Sequence, residues 1–131
     1  MRTTNAFATF LALFAGASDF AQAECYKSGI GWGDRSAAYY HAGRACRGFD
    51  GQAGVFQSSF APGEIKRACV TADDGGMKYE FGIRNQNERN TYTLDPEYCY
   101  RRLADEINCD LGGAKSADEW EVFADPNEGT C

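Results

Sequence analysis

The chain has 131 residues, a formal net charge of −6 and six cysteines. This length allows one domain. The acidic balance argues against nucleic-acid partners and anionic membranes, because both are bound by clustered lysines and arginines.

Residues 1–23 are predicted to be a signal peptide. Arg2 precedes an apolar run over residues 6–17, and Ala21-Gln22-Ala23 has the small-x-small pattern that signal peptidase cleaves. The apolar run is shorter than the ~20 residues that span a bilayer. We therefore expect a secreted, extracellular protein that does not insert into membranes, with a single disulfide-stapled domain over residues 24–131.

All six cysteines follow the predicted cleavage site: Cys25, Cys46, Cys69, Cys99, Cys109 and Cys131. An even number in a short exported chain predicts three disulfides, for which about 15 pairings are open. The chain has no C-x-x-C spacing and a single histidine, His41, which argues against a zinc site. We expect neither a metal nor a cofactor.

The first half of the mature chain predicts one helix and two strands. Asp34 is a good N-cap for a helix that runs to about Arg47, and Gly48 is a typical stop. A Gly-, Ser- and Gln-rich loop covers residues 49–63. A strand is predicted over residues 65–71, and residues 77–84 alternate between apolar and polar, which indicates a second strand.

The second half predicts a short strand, a helix and a last strand. A polar loop over 85–90 leads into a strand over 91–94, which would complete a three-stranded meander. Asp95 and Pro96 begin a helix that runs to about Asp110. A strand follows over 120–124, with a turn at 125–127. Two helices and about four antiparallel strands predict the α+β class.

The sequence carries no clear catalytic pattern. His41 lies in the middle of a predicted helix without a nucleophile signature nearby. Glu80 and Arg84 share one strand face, as a ribonuclease of the small fungal type would need, but an alternating strand places charged residues there anyway. We predict that the protein is not an enzyme.

Several loops offer the chemistry that binds sugars, since sugars stack on aromatic rings and hydrogen-bond to amides, acids and arginines. The candidate glycan-binding residues are Trp32, Asn85, Asn87, Arg89, Asp125 and Asn127. Structural roles compete with this interpretation. Trp32 can instead serve as a hydrophobic staple onto the first helix, and the asparagine loop can be a simple hairpin turn. Trp120, which precedes the Asp125 turn, fits a core position because it alternates with Val122.

The order of the motifs resembles a known family. A Cys25-Tyr26-x-Ser28-Gly29 opening is followed by Ile83-Arg84-Asn85, by the run 106–109 with two glycines after it, and by the closing run 125–131, Asp-Pro-Asn-x-Gly-x-Cys. This order is similar to the fungal secreted glycan-binding domain of the mushroom lectin "Y-three" type. The resemblance implies an α/β/α sandwich around an antiparallel sheet, a homodimer formed through sheet edges, and recognition of N-acetylated glycans.

Two functions of different classes are therefore expected. The first is a non-catalytic, lectin-like protein whose partners are glycans or glycoproteins, with N-acetylhexosamine as the sugar type. The alternative is a secreted effector or killer-toxin-like protein that binds a host or competitor protein. The first predicts exposed aromatic rings beside polar loops. The second predicts that Trp32 and Trp120 are buried and that the loop over residues 49–63 is the active surface.

Overall fold

The computed structural model describes residues 24–131, so the predicted signal peptide lies outside the described residues. The elements are β1 (Glu24–Cys25), α1 (Arg35–Arg47), β2 (Ile65–Thr71), β3 (Met77–Asn85), α2 (Pro96–Ile107), β4 (Gly113–Ala117) and β5 (Trp120–Glu128). The strands form one sheet in the order β1-β4-β5-β3-β2, and every neighbouring pair is antiparallel. The α+β class is confirmed, with five strands rather than about four.

α1 begins and ends where the sequence predicts. The Asp34 side chain accepts a hydrogen bond from the Ala37 N–H at 3.3 Å, which satisfies one of the free donors of the first turn. The helix ends at Gly48, whose φ of +83° favours glycine. Ala38 and Ala42 are fully buried, so α1 lies close to the rest of the core.

α2 begins as predicted, with Asp95 as the N-cap and Pro96 in the first turn. It ends at Ile107, before the predicted Asp110. Just beyond the helix, Cys109 is bonded to Cys25, and its carbonyl accepts a hydrogen bond from the Trp32 indole at 2.8 Å.

The core lies between the helices and one face of the two central strands. The sheet contributes to it the buried side chains of Tyr79, Phe81 and Ile83 of β3 and of Val122 of β5. The layers differ from those of the implied α/β/α sandwich, because both helices pack on this one face. α1 lies over this face near β3, since the ring centre of His41 is 6.4 Å from that of Tyr79.

α2 packs on the same face at the other side of the sheet. A Cβ built on Gly113 of β4 would lie 2.9 Å from Glu106 of α2. Gly113 pairs with Ala124, a buried residue of β5 that alternates in phase with Val122. The opposite face of the sheet is polar and half-exposed, and it includes Glu80, Arg84 and Glu121.

The predicted meander is wrong. Residues 91–94 lie outside the five strands, and Tyr92 pairs with Phe60 in an isolated bridge. The strand next to β3 is instead β5, and β1 and β4 were not predicted. β4 has a weak strand sequence, Gly-Ala-Lys-Ser-Ala, and it pairs with β5 through a two-residue turn. In that turn Asp118 and Glu119 have φ of 55° and 70°, as a type I′ hairpin requires.

The predicted turn at 125–127 is part of β5, which continues to Glu128. Pro126 pairs with Tyr79 of β3. On the other side of β5, the pairing with β4 ends at Ala124, two residues before Pro126. The missing N–H of Pro126 therefore disrupts no ladder, since β5 is an edge at this point.

Three disulfides are present, as predicted: Cys25–Cys109, Cys46–Cys99 and Cys69–Cys131. The first fixes β1 to the end of α2, the second joins α1 to α2, and the third ties β2 to residue 131. Among residues 24–131, no helix has the length and apolar character that crossing a membrane requires.

Candidate functional site

Trp32, the first of the predicted sugar-binding residues, is only 2% exposed. Its indole N–H donates to the Cys109 carbonyl, and its ring lies 5.8 Å from that of Tyr79. Both the apolar surface and the polar atom of the side chain are therefore used inside the protein. Trp32 fixes the segment before α1 to the end of α2.

Trp120 is also buried, at 7% exposure. Its ring packs edge-on against Phe60 at 5.0 Å and lies 6.3 Å from Tyr92. Neither tryptophan thus presents a ring face to solvent. The alternative hypothesis, a protein that binds another protein, predicts this burial.

The asparagine loop is held by its own side chains. Asn85 is fully buried, and its amide N–H groups donate to the carbonyls of Phe60, Ala61 and Asn90 at 2.9–3.3 Å. The Asn87 side-chain oxygen, Oδ1, accepts from the backbone N–H groups of Arg89 and Asn90. Asn85 and Asn87 therefore shape the loop, and Arg89 is exposed on its surface.

Asp125 and Asn127 lie on the polar face of β5, away from the helices. Asn127 donates to Glu80 of β3 at 2.6 Å. Burial raises the pKa of the Asp125 carboxyl; a hydrogen bond with Asn127 opposes this, and the nearby Glu80 carboxylate adds to it. The result is a small acidic cluster on the open face of the sheet.

The six predicted residues do not meet at one place. Asn85 pairs with Trp120 at one end of the β3–β5 ladder, and Lys78 pairs with Asn127 at the other end. At about 3.3 Å per residue, these two ends lie roughly 20 Å apart. Trp32 is buried on the helix side of the sheet. The structure thus distributes these residues over three separate regions.

Exposed aromatic rings occur instead on the outer side of α1. Tyr40 is 64% exposed and Phe49, just after the helix, is 37% exposed. The Arg44 guanidinium lies between them, with Cζ 5.6 Å from the Tyr40 ring centre and 4.0 Å from that of Phe49. Such cation–π contacts hold an arginine over a ring.

A groove of about 440 Å³ runs beside these rings, and we call it the α1 groove. Its lining includes Tyr39, Tyr40, Gly43, Arg44, Arg47, Phe49 and Tyr100. Gly43 lies in the middle of α1, where glycine costs about 1 kcal/mol relative to alanine. A Cβ at this position would lie 3.3 Å from Arg47 and 3.7 Å from Tyr100. Glycine therefore keeps the floor of the groove open.

The far wall of the groove is held by an ion pair between the helices. Arg47 donates two hydrogen bonds of 2.8 Å to Glu97, and its Cζ lies 4.1 Å from the centre of the Tyr100 ring. The pair raises the pKa of Arg47 and lowers that of Glu97, mainly through these hydrogen bonds. Both groups are exposed, so the pair contributes geometry more than stability. The Cys46–Cys99 bond beside it fixes α1 to α2.

Sequence reasoning missed the α1 groove, although one signal was present. At the helical period Ala38, Ala42 and Ala45 share one face of α1, and Tyr40, Arg44 and Arg47 lie on the opposite face. Nothing local predicts Tyr100, because it comes from the other helix.

The two side chains with catalytic potential, His41 and Glu80, lie on opposite faces of the sheet. Burial and the Arg44 charge lower the pKa of His41, while Asp73 opposes them. His41 lies on the helix side of the sheet, whereas Glu80 lies on the opposite face. The sheet therefore separates these groups. Among residues 24–131, no cluster of three or more histidine, cysteine or acidic side chains is arranged to hold a metal ion.

Comparison with known proteins does not assign the chain to a family. No protein-family model matches the sequence, and no curated protein matches it significantly.

Proposed function

We propose that this is a secreted, non-catalytic glycan-binding protein of the kind its sequence resembles, and that it binds sugar in the α1 groove. The observation that carries the proposal is the exposed Tyr40 ring beside two arginines. This is the arrangement that the glycan hypothesis requires, at a place the sequence did not predict.

The groove supplies the two interactions that sugars use. The exposed face of Tyr40 suits the apolar C–H face of a pyranose, and Phe49 extends that surface. Arg47 has its fork oriented by Glu97, so it loses little side-chain freedom when it binds a hydroxyl or an acetamido oxygen. A volume of about 440 Å³ lies in the usual range of small-molecule sites.

Secretion belongs to the same proposal. Three disulfides among residues 24–131 are typical of proteins that work outside the cytosol. They support the predicted signal peptide. Bonded cysteines would also keep the groove in shape after export, because Cys46–Cys99 joins the two helices that form it.

The homodimer that the resemblance implies is a further part of the proposal. β2 is an edge strand of seven residues, which offers unpaired backbone groups to a second copy. Light scattering coupled to size exclusion would test this. A monomer at all concentrations up to the millimolar range would contradict it.

A glycan array probed with the oxidised mature protein tests the function, with N-acetylhexosamine-containing glycans included. Tyr40→Ala should lower affinity for the best glycan about fivefold, since stacking on a ring contributes about 1 kcal/mol. Tyr40→Phe keeps the ring and is the matched control, which should bind nearly as the wild type does. Tryptophan emission is a poor reporter here, because Trp32 and Trp120 are buried. Absence of binding to every glycan would refute the proposal.

The alternative is that the protein binds another protein, and one observation favours it. Both tryptophans are buried, and the loop over residues 49–63 exposes Phe49 and Val55. Binding to intact target cells separates the two functions. Periodate oxidation of cell-surface sugars should abolish glycan binding and leave protein binding intact. Mild proteolysis of the cells should abolish binding to a protein target and leave binding to the sugars of glycolipids intact.

A further inference from the structure

A second cavity lies on the other side of Arg44, between α1 and the edge strand β2. It has a volume of about 450 Å³, and we call it the β2 cavity. Its walls include Ala45, Val55, Ala68 and Val70, and the Cys69–Cys131 bond also lines it. The polar side chains of the lining are those of His41, Arg44 and Thr71. Arg44 and Phe49 also line the α1 groove. The two spaces are thus neighbours, but one is aromatic and polar and the other is mainly aliphatic.

Small side chains create this cavity. Ala68 and Val70 lie on the helix side of β2 and pack against the core, yet both remain half-exposed. Beside them α1 presents the small side chain of Ala45, with His41 and Arg44 at the polar end of the cavity.

The loop after α1 fixes the remaining wall. The Phe56 N–H donates to the Ala45 carbonyl at 3.1 Å. Gly54 allows this approach, because a Cβ there would lie 2.2 Å from the same carbonyl oxygen. The loop is therefore anchored on the end of the helix and holds Val55 at the mouth of the cavity. The apolar walls exist before any ligand binds.

The polar end of the cavity is cationic. Among residues 24–131, no carboxylate lies within salt-bridge distance of Arg44. Its Nη1 lies 3.3 Å from His41 Nδ1, and its Nε is buried without a hydrogen-bond partner in this part of the chain. Burial and Arg44 favour the neutral form of His41, since its pKa is lowered. The unpaired positive charge at this site is therefore that of Arg44.

We propose that the β2 cavity binds a small organic anion with an apolar body, with the chemistry of a medium-chain carboxylate. The anionic group pairs with Arg44, and the body lies against Ala68 and Val70. A sugar fits this cavity poorly, because aliphatic walls leave its hydroxyls without partners. The inference is thus independent of the function proposed for the α1 groove.

Calorimetric titration of the oxidised protein with decanoate tests the proposal, with decanol as the uncharged probe. The wild type should bind decanoate at least tenfold more tightly than decanol, which is the scale of one hydrogen bond to a charged group. Arg44→Gln should remove that preference. Ala68→Leu fills the cavity and should weaken both probes about tenfold. Arg67→Gln, on the opposite face of β2, is the matched control and should change neither affinity.

Val55→Trp is a second blocking variant, because residue 55 is exposed and a substitution there does not endanger folding. Equal affinity for decanol and decanoate would overturn the proposal, as would undetectable binding at millimolar decanoate. Unchanged decanoate binding in both Ala68→Leu and Val55→Trp would also overturn the proposal. Arg47 lines the α1 groove but not the β2 cavity, and it contacts Glu97 and Tyr100. Arg47→Gln should therefore leave decanoate binding unchanged, so failure of this proposal is distinguishable from failure of the glycan proposal.

Discussion

Glu106 lies on the buried face of α2 and is fully inaccessible to solvent. Neither of its carboxylate oxygens has a hydrogen-bond partner among residues 24–131. The nearby Arg102 is bound elsewhere, since its guanidinium donates to the carbonyls of Lys115, Ala117 and Trp120. A charged carboxylate in this position is therefore poorly compensated.

The size of the effect follows from the pKa. Burial raises the pKa of Glu106 from 4.5 to about 7; Asp105 adds to the increase, and the charges of Arg102 and Lys115 oppose it. Folding thus favours the protonated acid. Each pKa unit corresponds to about 1.36 kcal/mol, so ionisation of Glu106 should cost the folded state about 3 kcal/mol.

The sign of the pH dependence is fixed by the direction of the shift. Below pH 4.5 the carboxyl is protonated in both the folded and unfolded states, and the full stability is present. Between pH 4.5 and about 7 only the folded state holds the proton, so stability falls as pH rises. Above that range the loss is complete.

Glu106→Gln removes this titration and keeps the size of the side chain. Urea unfolding from pH 4 to pH 8.5 should show the free energy of unfolding of the wild type falling by about 3 kcal/mol relative to that of the variant. Glu128→Gln changes an exposed acid at the end of β5 and is the control, which should leave the wild-type slope intact. Parallel pH profiles of wild type and Glu106→Gln would show that the argument from burial is incorrect.

Two further substitutions test the packing of the sheet and of the asparagine loop. A Cβ on Gly82 of β3 would lie 2.0 Å from the Phe123 ring, so Gly82→Ala should destabilise by about 1–3 kcal/mol. Phe123→Ala should suppress most of that cost in a double-mutant cycle measured by urea unfolding, and additive effects would contradict the proposed clash. Asn85→Ala leaves three carbonyls without their donor and should cost about 2–3 kcal/mol. Hydrogen exchange should then be faster at residues 60–61 and 90, and unchanged protection there would argue against a structural role for Asn85.

Elements with strong local signals were predictable from the sequence. α1 has an N-cap at Asp34 and a stop at Gly48, and its bounds are as predicted. β2 and β3 are also confirmed, because alternation over residues 77–84 fixes which side chains face the core. The even cysteine count predicted three disulfides but not their pairing, which depends on which elements lie side by side.

Elements that depend on distant partners were not predictable. β4 has few residues that favour strands, and it exists because β5 pairs with it through a tight turn. Pro126 indicated a turn, yet it lies in β5, since the neighbouring strand ends before it. Tyr92 belongs to a segment with good strand propensity, but it pairs with Phe60 instead of β3.

The candidate site shows the same division. The helical period of the sequence places Tyr40, Arg44 and Arg47 opposite the alanines of α1, but it does not show that these three side chains line a groove. Only the tertiary structure brought Tyr100 and Glu97 of α2 to that face and buried Trp32 against Cys109. The physical reason is that a local pattern decides which way a side chain points on its own element, whereas exposure and convergence depend on the elements that pack against it.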